Sequence, residues 1–323
     1  MFFDDFPIIT TGLICTPELH NNFRRKIDST LASCNDAPKN ASSSNENDQV
    51  PIIGIERHRL LTDGEGITTL VGFQGCPLRC KYCINKQCWE QSGATYYTPE
   101  KLYNELKKDN LYFLYTHGGI TFGGGEPGLY CDFILNFKSI CHPDWRIYME
   151  TSLNIPILNL QKLLPVIDYW IVDIKDVNET IYRKYTGCAN EQVISNLRYL
   201  SENGYSDKVQ IRLPLIPSYN TNREREISEQ KLRELGFEKF NKFNYKTDVK
   251  TTSELHENHN EINYGKAVCE VLKQARIELA KENAIKYEPH NCSHLQCKSG
   301  SCPVCEKELA WLENQINKVR RNV

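Results

Sequence analysis

The sequence predicts an α/β protein built from about six repeated strand–helix units. Short apolar segments rich in β-branched residues alternate with amphipathic segments of helical length between residues 50 and 245. Helix-starting and helix-ending residues, such as Thr98-Pro99 and Gly204, separate the two kinds of segment. Six units are too few for a closed eight-stranded barrel, so we expect a partial (βα)6 barrel of the TIM type.

Each predicted strand is a short run of β-branched, aromatic or other apolar residues. The strands cover residues 67–73, 119–122, 146–149, 169–172, 209–213 and 240–245. Helices are predicted between them, and two further helices, at residues 263–283 and 306–323, complete the chain. Because the functional site of such barrels lies at the carboxyl ends of the strands, we expect polar residues there to form the site.

Composition divides the chain into three predicted parts. Residues 1–49 form an N-terminal extension whose second half, rich in Asn, Ser and Asp, is predicted to be a disordered linker. Residues 50–285 form the partial barrel, and residues 286–323 form a Cys-rich metal-binding tail with a closing helix. The net charge of −2 gives no basic footprint for nucleic acid, and no apolar run suggests a membrane span. Fourteen cysteines without a secretory signal indicate a reducing cytoplasm.

Three cysteines stand together directly after the first predicted core strand. Cys76, Cys80 and Cys83 are spaced by four and three residues. Cysteine thiolates are the usual ligands of iron–sulfur clusters, and three thiolates on a four-iron cluster leave one iron open to a small molecule. The alternative is a closed structural zinc site in which Cys88 supplies a fourth thiolate.

With Tyr82 before the third cysteine, the pattern Cys-x3-Cys-x2-Cys resembles that of the radical S-adenosylmethionine (AdoMet) superfamily. The resemblance implies a [4Fe–4S] cluster that binds AdoMet and cleaves it reductively to a 5′-deoxyadenosyl radical, which removes a hydrogen atom from the substrate. It also implies the partial barrel that the strand–helix pattern predicts.

Polar segments at the predicted strand ends match the AdoMet contacts of this superfamily. The Gly-rich turn before Glu126 matches the motif that contacts the AdoMet amino group. For Glu150 and for residues 173–175, at the ends of the next two strands, the resemblance implies contacts to the AdoMet ribose and carboxylate. Arg212 is a candidate partner for the AdoMet carboxylate, because guanidinium pairs carboxylates bidentately. The predicted cofactor-binding residues are Tyr82, Ile84, Gly124, Gly125, Glu126, Pro127, Glu150, Asp173, Ile174, Lys175 and Arg212.

A closer resemblance covers residues 54–236, about half of the chain. Residues 62–67, 73–76, 83–85, 185–187 and 212–217 are similar to segments of glycyl-radical-enzyme activating enzymes of the pyruvate formate-lyase activase type. This resemblance implies removal of a Cα hydrogen from one glycine of a partner enzyme, with flavodoxin or ferredoxin as electron donor. Asp63 is a candidate contact for the partner's glycine loop. The family's Tyr-His pair is here Tyr245-Lys246, and the ferredoxin-like insert of many activases is missing.

Two alternatives to activation remain open from the sequence. One is a radical AdoMet maturase that modifies a peptide or another substrate with help from an auxiliary cluster. The other, from a different class, is a zinc-binding interaction protein without catalysis, which would leave the Gly-rich turn unexplained.

The tail contains a second group of closely spaced cysteines. Cys292, Cys297, Cys302 and Cys305 fall within fourteen residues, with Gly300 and Pro303 for turns. Structural zinc and an auxiliary iron–sulfur cluster both fit this pattern. The iron–sulfur context of the chain favours a cluster, although the spacing alone does not decide between them. The remaining cysteines are interpreted as buried small residues or incidental thiols: Cys15, Cys34, Cys131, Cys141, Cys188 and Cys269.

Overall fold

The computed structural model describes residues 49–60, 63–90, 93–245, 264–290 and 302–321. Within these ranges the centre of the fold is one mixed sheet of eight strands in the order β3-β1-β2-β4-β5-β6-β7-β8. The strands are β1 (Val50–Leu60), β2 (Ile67–Phe73), β3 (Thr95–Tyr97), β4 (Gly119–Gly124), β5 (Arg146–Thr151), β6 (Tyr169–Asp173), β7 (Val209–Leu215) and β8 (Lys239–Asn244). β2 and β4 to β8 are mutually parallel, which confirms the predicted α/β class with six parallel strands.

The helices follow the strands as the periodicity predicts. They are α1 (Pro99–Leu106), α2 (Asn110–Thr116), α3 (Cys131–Ile140), α4 (Ile157–Leu163), α5 (Glu179–Thr186), α6 (Glu191–Glu202), α7 (Asn222–Glu234), α8 (Tyr264–Glu282) and α9 (Pro303–Arg321). The Thr98 hydroxyl caps α1 by accepting from the Lys101 amide, and Pro99 occupies its first turn. The chain therefore starts this helix where the sequence indicates.

Two antiparallel strands at one side of the sheet were not predicted. β1 pairs antiparallel with β2 on one side and with β3 on the other. The run of charged and polar residues at 56–59 hides β1 in the sequence, and its register shifts between Glu56 and Arg59. These two strands cover the β2 edge, which would otherwise present unpaired backbone groups.

Aromatic packing lies directly beneath the end of β2. The ring of Phe73 stacks on Tyr130 at 5.1 Å and meets Phe122 of β4 edge to face at 5.6 Å. Phe73 and Phe122 are fully buried. Such pairs hold neighbouring strand ends at a defined spacing, which gives the loops above them a rigid base. In the part of the chain that the structure describes, no helix combines the length and the apolar character needed to cross a bilayer.

Candidate active site

The cysteine loop follows β2 and is held by backbone hydrogen bonds to the end of α5. The Arg79 amide donates to the Thr186 carbonyl at 2.8 Å, and the Lys81 amide donates to the Tyr185 carbonyl at 3.2 Å. The loop that carries the three predicted cluster ligands therefore has a fixed path across the carboxyl edge of the sheet.

The Gly-rich turn after β4 is bonded directly to the cysteine loop. The Gly125 amide donates to the Phe73 carbonyl at 2.9 Å, and the Glu126 amide donates to the Gly75 carbonyl at 2.8 Å. A Cβ on Gly125 would lie 2.1 Å from the Gly75 carbonyl oxygen, so only glycine permits this approach. The two predicted motifs thus form one backbone unit.

Glu126 is completely buried beneath this turn, and both of its carboxylate oxygens are occupied. One oxygen accepts from the Thr151 hydroxyl at 2.6 Å and the Gly128 amide at 3.2 Å. The other accepts from the Ser152 amide at 2.9 Å and the Ser152 hydroxyl at 2.6 Å. Burial raises the pKa of Glu126, although these hydrogen bonds oppose the rise. Glu126 is therefore placed to position the turn against the end of β5.

Lys175, just beyond β6, lies at the centre of a buried polar group. Its ammonium donates to the Asp173 carboxylate and, at 2.9 Å, to the Tyr245 hydroxyl. Burial opposes the charge on Lys175, but the Asp173 carboxylate together with the other acidic groups around it outweighs burial and raises the pKa of Lys175 well above its usual value. Burial also raises the pKa of Tyr245 to about 12, so its hydroxyl stays protonated. Ile174 is fully buried between the two charged residues along the chain.

Arg212 of β7 faces two carboxylates. It forms an ion pair with Glu150 of β5, and its guanidinium lies 3.8 Å from the Asp63 carboxylate. Asp63 is buried and accepts a 2.5 Å hydrogen bond from Arg59 of β1. Burial lowers the pKa of Arg212. The predicted residues Asp63, Glu150 and Arg212 are thus together, with Asp63 linked to Arg212 and Arg59.

The three loop cysteines differ in electrostatic environment. Burial raises the pKa of Cys76 to about 12 and that of Cys80 to about 11. A hydrogen bond from the Cys88 thiol lowers the pKa of Cys83 to about 6, against the effect of burial. Because a metal-bound cysteine is deprotonated, a cationic cluster would supply the stabilisation that the Cys76 and Cys80 thiolates lack.

Several buried polar atoms have no hydrogen-bond partner among the described residues. They include Asp173 Oδ1 and the Tyr185 hydroxyl, which belong to residues of the site. Such atoms are rare unless a ligand or water satisfies them. The three thiols of the cysteine loop fit a bound cluster. The unpartnered polar atoms, together with the open backbone of Gly124 and Gly125, fit a polar cofactor beside it.

The remaining predicted contacts flank the loop. The Tyr82 ring packs near Tyr185 and Tyr219, with centroid distances of 6.1 and 5.7 Å. Ile84 is 48% exposed, and Pro127, which is buried, begins the 3-10 turn after Glu126.

Several residues of the site make contacts that the sequence does not indicate. The side-chain amide of Asn85 donates to the Gly124 carbonyl at 3.1 Å, which ties the exit of the cysteine loop to the Gly-rich turn. Tyr245 belongs to the Tyr-Lys pair that stands where the family has Tyr-His, and its hydroxyl accepts a hydrogen bond from Lys175. Lys246 lies outside the described residues. Arg59 stands in the charged stretch that hid β1.

Only part of the tail group is described. Cys302 precedes α9 and Cys305 lies in its first turn, whereas Cys292 and Cys297 lie outside the described residues.

Comparison with known proteins assigns the class of this fold and site. The profile described as "Radical SAM superfamily" matches residues 70–229, and the chain belongs to that superfamily of enzymes. Within it, the chain is similar to the "Pyruvate formate-lyase-activating enzyme" of Clostridium pasteurianum, with 32% identity over 164 residues that cover 51% of this chain and 68% of the relative.

A second relative has a different stated target. The "(2S)-3-sulfopropanediol dehydratase activating enzyme" of Klebsiella oxytoca is 26% identical over 231 residues, covering 52% of this chain and 72% of the relative. Among solved structures, Streptococcus suis SuiB bound to precursor peptide SuiA has 13% identity and a TM-score of 0.46, covering 83% of this chain and 66% of that chain. That likeness is too low to contribute to the argument.

Proposed function

We propose that this protein is a glycyl-radical-enzyme activating enzyme. It binds a [4Fe–4S] cluster through Cys76, Cys80 and Cys83, binds AdoMet beside it, and acts on one glycine of a partner enzyme. The observation that carries the proposal is the pair of backbone hydrogen bonds joining the Gly-rich turn to the cysteine loop. The names of two relatives as activating enzymes for different targets support a protein substrate.

The proposed cofactor roles follow from the contacts of each residue. When bound and reduced, the cluster supplies the electron that cleaves AdoMet to a 5′-deoxyadenosyl radical. Gly124 and Gly125 present backbone groups to the AdoMet amino end, because no Cβ obstructs the approach. Arg212 pairs with the AdoMet carboxylate, exchanging one of its present carboxylate partners. The unpartnered Asp173 Oδ1 accepts a hydrogen bond from a ribose hydroxyl.

Other residues act by positioning. Glu126 holds the Gly-rich turn, and Lys175 holds Asp173 in its orientation. Asp63 and Glu150 orient the Arg212 guanidinium from two sides. Tyr82, Ile84 and Pro127 are proposed to enclose the cofactor.

Glycine suits the proposed reaction. Removal of its Cα hydrogen leaves a radical that the two flanking amide groups delocalise, without crowding from a side chain. The electron donor is proposed to be flavodoxin or ferredoxin, and the compartment an oxygen-poor cytoplasm.

The first test is anaerobic cleavage of AdoMet. The chain is reconstituted with iron and sulfide, reduced with dithionite, and assayed for 5′-deoxyadenosine. We expect product from the wild type and from Cys88→Ala, and none from Cys80→Ala. Loss of product in Cys88→Ala, with zinc in place of iron, would instead support a closed four-thiolate site.

The second test adds pyruvate formate-lyase as a trial partner. A persistent glycyl radical in the electron paramagnetic resonance spectrum, absent with a Gly→Ala partner, is the expected result. AdoMet cleavage without a stored glycyl radical, together with a changed mass of a peptide from the partner, would contradict activation. That result would support the alternative function of a maturase.

A further inference from the structure

The joint between α8 and α9 brings together Cys269, which the sequence does not mark as a metal ligand, and two cysteines of the tail. Cys269 of α8 and Cys305 of α9 are buried against each other, with their sulfur atoms 4.0 Å apart. Cys302, one turn earlier, places its sulfur 3.6 Å from that of Cys305. Three thiols, one from α8, one from α9 and one from the residue just before α9, therefore lie around Cys305.

These separations are those of thiolates that share one metal ion. A tetrahedral zinc ion with Zn–S bonds of about 2.3 Å holds its sulfur ligands about 3.8 Å apart. Thiols in simple van der Waals contact lie at similar distances, so the distances alone do not indicate a metal. The local sequence provides a second, independent indication. Cys302-Pro-Val-Cys305 is a Cys-x2-Cys pair at a helix start, a spacing common to structural zinc sites.

We propose that Cys269, Cys302 and Cys305 are ligands of one structural zinc ion that joins α8 to α9. As they stand within the described ranges, no three His, Cys, Asp or Glu side chains are close enough together to hold a metal ion. Ligation therefore requires these thiols to close on a common centre. The proposal assigns three of the four ligands that a structural zinc normally takes.

The contact between sulfur atoms favours zinc over the auxiliary cluster that the sequence analysis preferred. In a cubane cluster each thiolate binds a different iron, so the thiolate sulfurs are spread around the cluster. Adjacent sulfurs around Cys305 instead suit a mononuclear ion. The site is independent of the proposed catalytic function, because it lies on the two C-terminal helices.

A separate polar contact joins the same two helices. Arg276 of α8 is buried and donates to Glu308 of α9 at 3.0 Å, and also to Tyr112 of α2 at 2.6 Å. Tyr287 donates to the same Glu308 carboxylate at 2.9 Å. This network holds the joint without metal, so removal of one thiol is expected to leave the chain folded.

The test measures metal content in the full-length chain. Zinc and iron are quantified by mass spectrometry in the wild type, Cys80→Ala, Cys269→Ser, Cys305→Ser and Cys141→Ser. Cys141 is a matched control, since it and Cys269 are both 7% exposed and Cys141 lies elsewhere in the fold. Circular dichroism confirms that each variant is folded.

We expect one zinc ion per chain in the wild type, Cys80→Ala and Cys141→Ser, and its loss in Cys269→Ser and Cys305→Ser. Full zinc occupancy in folded Cys269→Ser would overturn the assignment of Cys269. Iron and sulfide that persist in Cys80→Ala but disappear in Cys269→Ser would establish a cluster instead of zinc.

A spectroscopic measurement covers the case in which the variants fail to fold. A chain in which Cys76, Cys80 and Cys83 are all replaced by Ala, with its metal removed, is titrated with Co²⁺, so that the cysteine loop does not supply the thiolate bands. Thiolate-to-cobalt charge transfer together with tetrahedral d–d bands is the expected spectrum. Octahedral bands without charge transfer would overturn the site.

Discussion

The carboxylate of Glu126 accepts hydrogen bonds from both the amide and the hydroxyl of Ser152. This contact joins the Gly-rich turn after β4 to the end of β5, 26 residues further along the chain. Glu126 is completely buried, and its removal would leave the buried Thr151 hydroxyl and Gly128 amide without their acceptor.

Replacing Glu126 by Ala is expected to lower the free energy of unfolding by about 3 kcal/mol, since several buried donors lose their acceptor. AdoMet affinity should fall with it, because the turn loses its support. Urea unfolding of the apoprotein and anaerobic calorimetry measure the two effects. Ser152→Ala, which removes one donor and keeps the carboxylate, should cost about 1 kcal/mol. Equal stability of Glu126→Ala and the wild type would contradict this role.

A methyl group at Gly125 is expected to separate the Gly-rich turn from the cysteine loop. The new Cβ would lie 2.1 Å from the Gly75 carbonyl, and relief of that overlap should cost about 3 kcal/mol in unfolding free energy. Iron loading should fall as well. Gly54→Ala is the control, since nothing lies within 4 Å of its Cβ position, and it should change stability by less than about 0.5 kcal/mol. Similar effects at both positions would exclude the steric explanation.

Asp173 and Lys175 are expected to be energetically coupled. Loss of either partner leaves the other charge poorly compensated in a largely buried setting, so Asp173→Asn and Lys175→Met should each destabilise the fold. The double variant should be more stable than the sum of the single effects predicts, by about 1–3 kcal/mol. Urea unfolding of all four proteins measures this coupling.

The exposed pair Glu179 and Arg183 of α5 provides the comparison for that cycle. Both side chains are at least half exposed, so their coupling is expected to be close to zero. Additive effects at Asp173 and Lys175 would show that their ion pair contributes no more than this surface pair.

Asp109 gives the fold a defined dependence on acid. Burial opposes its charge, but hydrogen bonds from Arg57 and His58 outweigh burial and lower the pKa of Asp109 to about 2. An aspartate in the unfolded chain titrates near pH ~3.9. The stabilisation is therefore present above about pH 4 and is lost as the pH falls toward 2.

Between pH 5 and pH 3, the wild type is therefore expected to lose about 1 kcal/mol more unfolding free energy than Asp109→Asn. Urea titrations at a series of pH values measure the difference. Glu238→Gln, which changes an exposed carboxylate, should follow the wild type. Parallel curves for the wild type and Asp109→Asn would remove Asp109 as the origin of the effect.

Much of the parallel sheet followed from the sequence. β2 and α6 begin and end at the predicted residues, and the other parallel strands differ from prediction by two residues or fewer. These elements are encoded locally, through apolar periodicity and end signals such as Thr98-Pro99. β1 was missed because its charged residues find partners that are distant in sequence, as Arg57 does with Asp109 at 2.7 Å.

The sequence by itself determined the fold class, the cysteine loop and the Gly-rich turn, because each depends on residues that are neighbours in the chain. Only the tertiary structure decided which side chains meet across strand ends. It paired Arg212 with Glu150, brought Tyr245 to Lys175 and placed Cys269 beside Cys305. The physical reason is that these contacts join residues 36 to 70 positions apart, and their spacing leaves no local pattern.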